Sequence, residues 1–185
     1  MTTSPSQLFV FDINGTLLSR VKKQKHRFLT NKAPDFILPS CSDLIYFRPY
    51  LSELVSFLHS QQIKYVLWTT AMEHNAVHLV NGLIGQGLDQ AIEHLYFSTA
   101  KPIPGHPYKR YKDMQIISDK HQVPIERIFL VDDEVEKCVP KSCHLPIAEY
   151  DPLNAEDRAI LDIIDQIKNI INQNSDTIES KKSCA

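Results

Sequence analysis

Short apolar runs that stop abruptly at polar residues constrain the fold of this chain more than any other feature. Leu8-Phe9-Val10-Phe11 is continuous, carries β-branched and aromatic side chains, lacks helical spacing, and ends at Asp12. Such a run reads as a strand buried on both faces, the pattern of a parallel sheet. A second run, Ile63 with Tyr65-Val66-Leu67-Trp68, ends in Thr69-Thr70, and a third, Arg127-Ile128-Phe129-Leu130-Val131, ends in Asp132-Asp133-Glu134. Residues 94–98 and Pro146-Ile147-Ala148 add two short strands. Helical segments lie between them. Leu51, Leu54, Val55 and Leu58 follow Arg48-Pro49 at helical spacing, and residues 73–84 run to Gly85 and Gly87. Residues 108–120 read as a third helix, and residues 153–171 as a closing one with Ile160, Leu161, Ile164, Ile167 and Ile171 on its apolar side. The alternation predicts an α/β fold, three-layered and Rossmann-type, with a mainly parallel central sheet.

The 185 residues suit one domain, placed at 8–171, and 43% apolar content is enough for a sizeable core. Residues 1–7 read as a flexible start and 172–185 as a polar, frayed tail. Residues 19–47, with a basic stretch at 20–27, read as an insertion or flap after the first strand. The basic stretch is favoured as a solvated edge over a recognition patch for an acidic partner. A formal charge of −2 and pI near 6.4 argue against a dedicated nucleic-acid binder, and no apolar stretch approaches the ~20 residues of a membrane span. No secretory apolar region opens the sequence. Cys41, Cys138, Cys143 and Cys184 form no CxxC pair, so reduced thiols and an intracellular setting, cytoplasmic or nuclear, are expected. Cys138, Cys143 and His144 fit no common zinc spacing.

In parallel sheets, ligands bind beyond the carboxyl ends of the strands. Asp12, Thr69 and the Asp132/Asp133 pair all belong there. Gly15 permits a sharp turn after Asp12, and Thr16 adds a hydroxyl beside it. Taken singly, Asp12-Ile13-Asn14-Gly15 is an Asn-Gly turn and the Asp132/Asp133 pair a helix cap. Three strand ends delivering carboxylates and a hydroxyl to one edge favour a site.

With these residues the sequence resembles the haloacid dehalogenase superfamily of aspartate-nucleophile phosphotransferases. The resembling motifs are Asp12-Ile13-Asn14-Gly15-Thr16, Thr69 in Val66-Leu67-Trp68-Thr69-Thr70, Lys112 in Tyr111-Lys112-Asp113-Met114, and Asp132-Asp133. A closer resemblance, over residues 8 to 170, is to phosphatases of the RNA polymerase II C-terminal domain and NLI-interacting-factor-like proteins. Arg48-Pro49 and Lys112-Asp113-Met114 carry that resemblance. It implies a Mg²⁺-dependent phosphomonoesterase in which Asp12 is the nucleophile and forms an aspartyl-phosphate. The metal would be held by Asp12, the main-chain carbonyl of Asn14 and Asp132. Thr69 would hydrogen-bond a phosphoryl oxygen, and Lys112 would neutralise its charge, with Lys109 the competing candidate. Thr16, Thr70, Lys109 and Asp133 would surround them. The substrate implied is a phosphoserine or phosphothreonine in a protein or peptide, with a small-molecule phosphatase as the alternative.

Asn14 departs from the family pattern, which has a second Asp there to protonate the leaving oxygen and later activate water. An amide keeps the size and hydrogen-bonding capacity but exchanges no proton at working pH. An attenuated phosphatase is therefore expected, whether by engineering or by nature; a phosphoprotein-binding pseudophosphatase is the other class.

Overall fold

The computed structural model describes residues 7–28 and 32–182, so residues 1–6 of the expected flexible start and Cys184 lie outside the described residues. In chain order the strands and helices begin with β1 (Leu8–Phe11), β2 (Leu18–Val21), β3 (Phe36–Ile37) and β4 (Leu44–Phe47). There follow α1 (Leu51–Ser60), β5 (Tyr65–Trp68), α2 (Glu73–Gly85), β6 (Glu93–Leu95), β7 (Lys101–Ile103) and β8 (His106–Asp113). The chain closes with α3 (Met114–His121), β9 (Ile128–Asp132), β10 (Cys138–Val139), β11 (His144–Pro146) and α4 (Ala159–Lys182).

The central sheet has the order β11-β9-β1-β5-β6, and every pairing in it is parallel. Alternation along β1 divides the core between two faces. Phe9 and Phe11 pack with Leu54 and Leu58 of α1, Leu79 and Leu83 of α2, and Ile160, Ile164 and Ile167 of α4. Leu8 and Val10 face Met114 and Ile117 of α3. The expected three layers follow from this two-sided burial. Successive strands leave β1 first toward β5 and β6 and then, across the sheet, toward β9 and β11, so the order reverses at β1.

The insertion is an antiparallel sheet of order β2-β4-β3. Its Phe36 and Phe47 rings, 5.7 Å apart, press on α2 where Gly82 leaves room for them. Among the described residues no helix is long and apolar enough to cross a membrane.

Several segments differ from the sequence expectation. The helix expected over residues 108–120 begins only at Met114; residues 106–113 form β8, hairpin partner of β7, with Ile103 opposite His106. Pro104-Gly105 makes this turn, with Gly105 at a φ of +78°. Charges at Lys109, Arg110 and Lys112 hide the alternation of a strand, and pairing with β7 and β10 overrides local propensity. The strand expected over 94–98 is shorter, giving way to a 3₁₀ turn at Phe97–Thr99. The tail expected to fray from residue 172 continues α4 to Lys182, over residues that include no Gly or Pro to break a helix.

Gly82 and Gly85 provide a paired test of how the insertion is seated. A Cβ on Gly82 would lie 2.8 Å from Phe36 Cε1, whereas one on Gly85 meets nothing within 4 Å. Gly85→Ala should stabilise by up to about 1 kcal/mol, through helix propensity alone. Gly82→Ala should lose that gain and destabilise by about 1–3 kcal/mol. Urea denaturation of the two variants beside the parent chain measures both signs.

Candidate active site

The parallel register sets Phe11 beside Val131, so the next residues, Asp12 and Asp132, leave adjacent strands side by side. Asp12 N donates to Val131 O at 2.9 Å, carrying the pairing one residue further. Both side chains are buried, at 2% and 0% exposure. Between them lies the Lys112 ammonium, itself without solvent contact. It donates to Asp12 Oδ1 and, at 2.6 Å, to Asp132 Oδ2. β8 brings it there, braced on one side by β7 and on the other by β10, where Cys138 pairs with Lys112. Lys109, three residues earlier on the same strand, is exposed and lines a neighbouring cavity instead.

Asp132 is fixed from two further directions. Glu134 N donates to its Oδ1 at 2.9 Å. His144 Nε2 lies 2.8 Å from its main-chain carbonyl, which can only accept, so the Nε2–H tautomer donates. Cys138 and Cys143 point their thiols at the carbonyls of Pro140 and Ile125, as buried structural thiols do, with burial pushing Cys138 up to about 12.

Burial likewise pushes the Asp12 carboxyl up to about 6; Lys112 opposes that shift and Asp132 adds to it. Asp12 Oδ2 is buried and has no hydrogen-bond partner among the described residues. An orphaned carboxylate oxygen costs several kcal/mol unless a cation or donor meets it. Asp12, Asp132 and Asp133 each offer a carboxylate oxygen, all within 4.8 Å of one another. Three hard carboxylate donors, one of them with an unsatisfied oxygen, fit a Mg²⁺-like ion. The structure thus adds Asp133 to the acidic group, while Asn14 remains a candidate through its main chain only.

The loop after β1 is shaped by close approach. Gly15 has a φ of +85°, and a Cβ there would lie 2.7 Å from Asp133 Oδ2, so only glycine lets the two strand ends approach. Thr16 Oγ1 donates to Asp133 Oδ1 at 3.3 Å. Asn14 is exposed at the rim, and its Oδ1 accepts the Arg20 backbone N–H at 2.9 Å, closing the loop onto β2. Thr69 is buried past the end of β5; its Oγ1 accepts from Ala71 N at 3.1 Å, leaving the hydroxyl proton free to donate. Asp12, Asn14, Thr69 and Thr70 share the walls of one cleft of about 160 Å³ with Arg20, Ala71, Leu79 and Lys137.

The chain carries a match to one family model, NLI interacting factor-like phosphatase, over residues 7–178. It belongs to that family. This NIF-like phosphatase, as a member of the haloacid dehalogenase-type phosphatases, is a phosphoester hydrolase by family. No curated protein matches it in sequence. Among solved structures it is similar to a Thermotoga maritima protein assigned as a beta-phosphoglucomutase, at 15% identity and a TM-score of 0.53, covering 90% of this chain and 99% of that one. It is also similar to Fcp1, an essential RNA polymerase II CTD phosphatase, at 11% identity and a TM-score of 0.55, covering 90% of this chain and 48% of that one. An arginine-to-alanine variant of fission yeast Fcp1 bound to beryllium fluoride gives 11% identity and 0.56, covering 90% and 51%. The NIF-like chain thus spans about half the length of the Fcp1 chains, and at these identities the likeness concerns the fold alone.

Three groups in or beneath the NIF-like site escaped the sequence reading. Lys137 lines the cleft from the turn after β9; burial works against its ammonium, but Asp12, Asp132 and a 2.7 Å bond to Glu134 outweigh that and raise its pKa. Arg20 also lines the cleft, held by Asp43 at 2.7 Å. Arg48, noted in sequence only for its place before Pro49, is buried at 2% exposure. Its guanidinium grips Asp157 through Nε at 3.0 Å and an Nη2 at 2.8 Å, and donates to Thr16 O at 3.0 Å and Ala148 O at 2.7 Å. The one available signal was position, since Lys137 follows closely on the end of β9.

Arg48→Met should strand a buried Asp157 and two carbonyls and so destabilise the chain by about 3–5 kcal/mol. Arg48→Lys should recover less than half of that, because an ammonium cannot span the fork. Chemical denaturation checks both.

Proposed function

We propose that this chain is a Mg²⁺-dependent phosphomonoester hydrolase that works through an aspartyl-phosphate on Asp12, acts on phosphoserine or phosphothreonine in proteins, and turns over slowly because position 14 is Asn. The observation that carries the reading is the state of Asp12. One oxygen is held by a buried ammonium, and the other is buried, unpartnered and part of a residue that lines the cleft.

The Asp12 carboxylate attacks phosphorus, the ester P–O bond breaks, and the departing oxygen requires a proton. Water then attacks the acyl phosphate, releasing inorganic phosphate, and must itself lose a proton. Lys112 neutralises charge on the carboxylate and on the phosphoryl oxygens, while Thr69 offers its hydroxyl proton to one of those oxygens. Asp12, Asp132, Asp133 and the Asn14 carbonyl would hold Mg²⁺, which when bound supplies the positive charge that a phosphoryl transfer needs. Asn14 has no proton to give or take, so both proton transfers lack their partner. The amide oxygen nevertheless accepts the Arg20 N–H, a bond that a carboxylate at position 14 would keep. The small antiparallel insertion leaves the cleft open at the surface, which suits a phosphorylated segment of a protein better than an enclosed metabolite.

The same amide favours one other reading, a module that binds phosphoproteins without turnover. In that case, phosphopeptide affinity would persist in Asp12→Ala and no labelled aspartyl-phosphate would form.

Assayed on an aryl phosphate with Mg²⁺, Asn14→Asp should exceed the parent chain by about 10²–10⁴ in rate, the usual worth of acid–base help. Asp12→Ala should abolish both activities, as should chelation of the metal. Equal and robust rates for Asn and Asp at position 14 would overturn the role given to that position.

A further inference from the structure

The floor of the cleft is short of positive charge on the side where a substrate arrives. Asp12, Asp132 and Asp133 bring three carboxylates together, and Lys112 is spent between two of them with no surface of its own toward solvent. A phosphate monoester dianion entering here meets Asp12 in the cleft wall, whereas the Lys112 ammonium has no exposed surface and does not line the cleft. Two further cations line the cleft. Arg20 is committed to Asp43, a partner only 12% exposed. Lys137 differs. Its side chain is 16% exposed and its partner Glu134, at 39%, is a solvent-screened surface carboxylate. That contact uses one of three N–H donors. Lys137 also lines the neighbouring cavity of about 220 Å³, with Thr70, Tyr108, Lys109 and Arg110, so it stands where the two cavities join.

Resting on the phosphatase reading above, we propose that Lys137 is a second phosphate-binding residue, whose ammonium contacts the phosphoryl oxygens from the solvent side of the cleft while Lys112 serves the carboxylates beneath. Two lysines thus divide one task. Lys112 holds the carboxylates in place, and Lys137 offsets the dianion on its outer face, shifting from the exposed Glu134 to do so.

Calorimetric titration of inorganic phosphate in the presence of Mg²⁺ tests this without requiring turnover. Lys137→Met should weaken phosphate binding about 10-fold or more, the worth of a lost charged hydrogen bond, and Lys137→Arg should stay within about 3-fold of the parent chain. Lys141→Met, which removes the same charge from an exposed position outside the cleft, should leave binding unchanged. Glu134→Gln, which frees the ammonium without touching Lys137, should bind phosphate as well as the parent or a few-fold tighter, and covers the case of a poorly folded Lys137→Met. Parent-like binding by Lys137→Met, a loss shared in full by Lys137→Arg or Lys141→Met, or a loss in Glu134→Gln would each overturn the role of Lys137. Failure of the parent chain itself to bind phosphate would instead overturn the phosphatase reading, and this inference with it.

Discussion

Two carboxylates that leave adjacent parallel strands side by side repel each other, and the repulsion is severe where no water reaches them. Asp12 and Asp132 are in that position because of the register of β1 and β9, and it is the buried ammonium of Lys112 that makes the arrangement tenable. Much of the remaining architecture can be read as what is needed to deliver that ammonium. A hairpin turned at Pro104-Gly105 gives β8 its direction, β10 returns from the Asp132 turn to pair with it, and Met114 and Ile117 pin the following helix to the sheet. Lysine is the apt residue here, because a compact point charge fits between two carboxylates where a guanidinium fork would splay them.

The loop that carries Asn14 is held by a second buried cation some distance along the chain. Arg48 sits at the exit of the insertion, yet its partners come from the β1 loop, from Ala148 after β11 and from Asp157 just before α4. Tyr150 lies against its guanidinium at 5.4 Å and donates its own backbone N–H to Gly15 O at 2.8 Å. The insertion, the loop after β1 and the start of the last helix therefore meet at one side chain. Asp157 serves twice, since its Oδ1 also accepts from Ala159 N and so sets where α4 begins.

The parts legible in the sequence were those written in local hydrophobic pattern. Leu8 to Phe11, Tyr65 to Trp68 and Ile128 to Val131 are continuous because both faces of a parallel strand are covered, and the polar residues ending them mark the edge of the sheet. That sufficed to draw Asp12, Thr69, Asp132 and Asp133 together. The choice between Lys109 and Lys112 was not legible, because Tyr108-Lys109-Arg110-Tyr111-Lys112 carries no apolar alternation and its strand character comes from two pairing partners remote in sequence. Arg48 and Asp157 are 109 residues apart, and a pairing over that separation has no local signature. Lys137 reads as one more solvated lysine beside glutamates; only the turn after β9 reveals which wall it occupies.

Asn14 can be placed more sharply against this background. On the mechanism proposed above, the side chain at position 14 has two separable duties: one structural, accepting the Arg20 N–H so that the loop closes onto β2, and one chemical, exchanging a proton with the leaving group and then with water. An amide and a carboxylate perform the first almost interchangeably, since either presents an sp² oxygen of the same reach. Only the carboxylate performs the second. Gly15, Thr16, Asp133 and Arg48 hold the loop through the backbone and through other side chains, so none of them responds to what stands at position 14. On that mechanism a substitution there can leave Asp12, the acidic cluster and both lysines in place while it reaches the proton transfers alone. The intactness of the surrounding site is therefore no measure of turnover, and on the proposed mechanism the chemistry at one exposed rim residue is what would separate a phosphatase fold from a fast phosphatase.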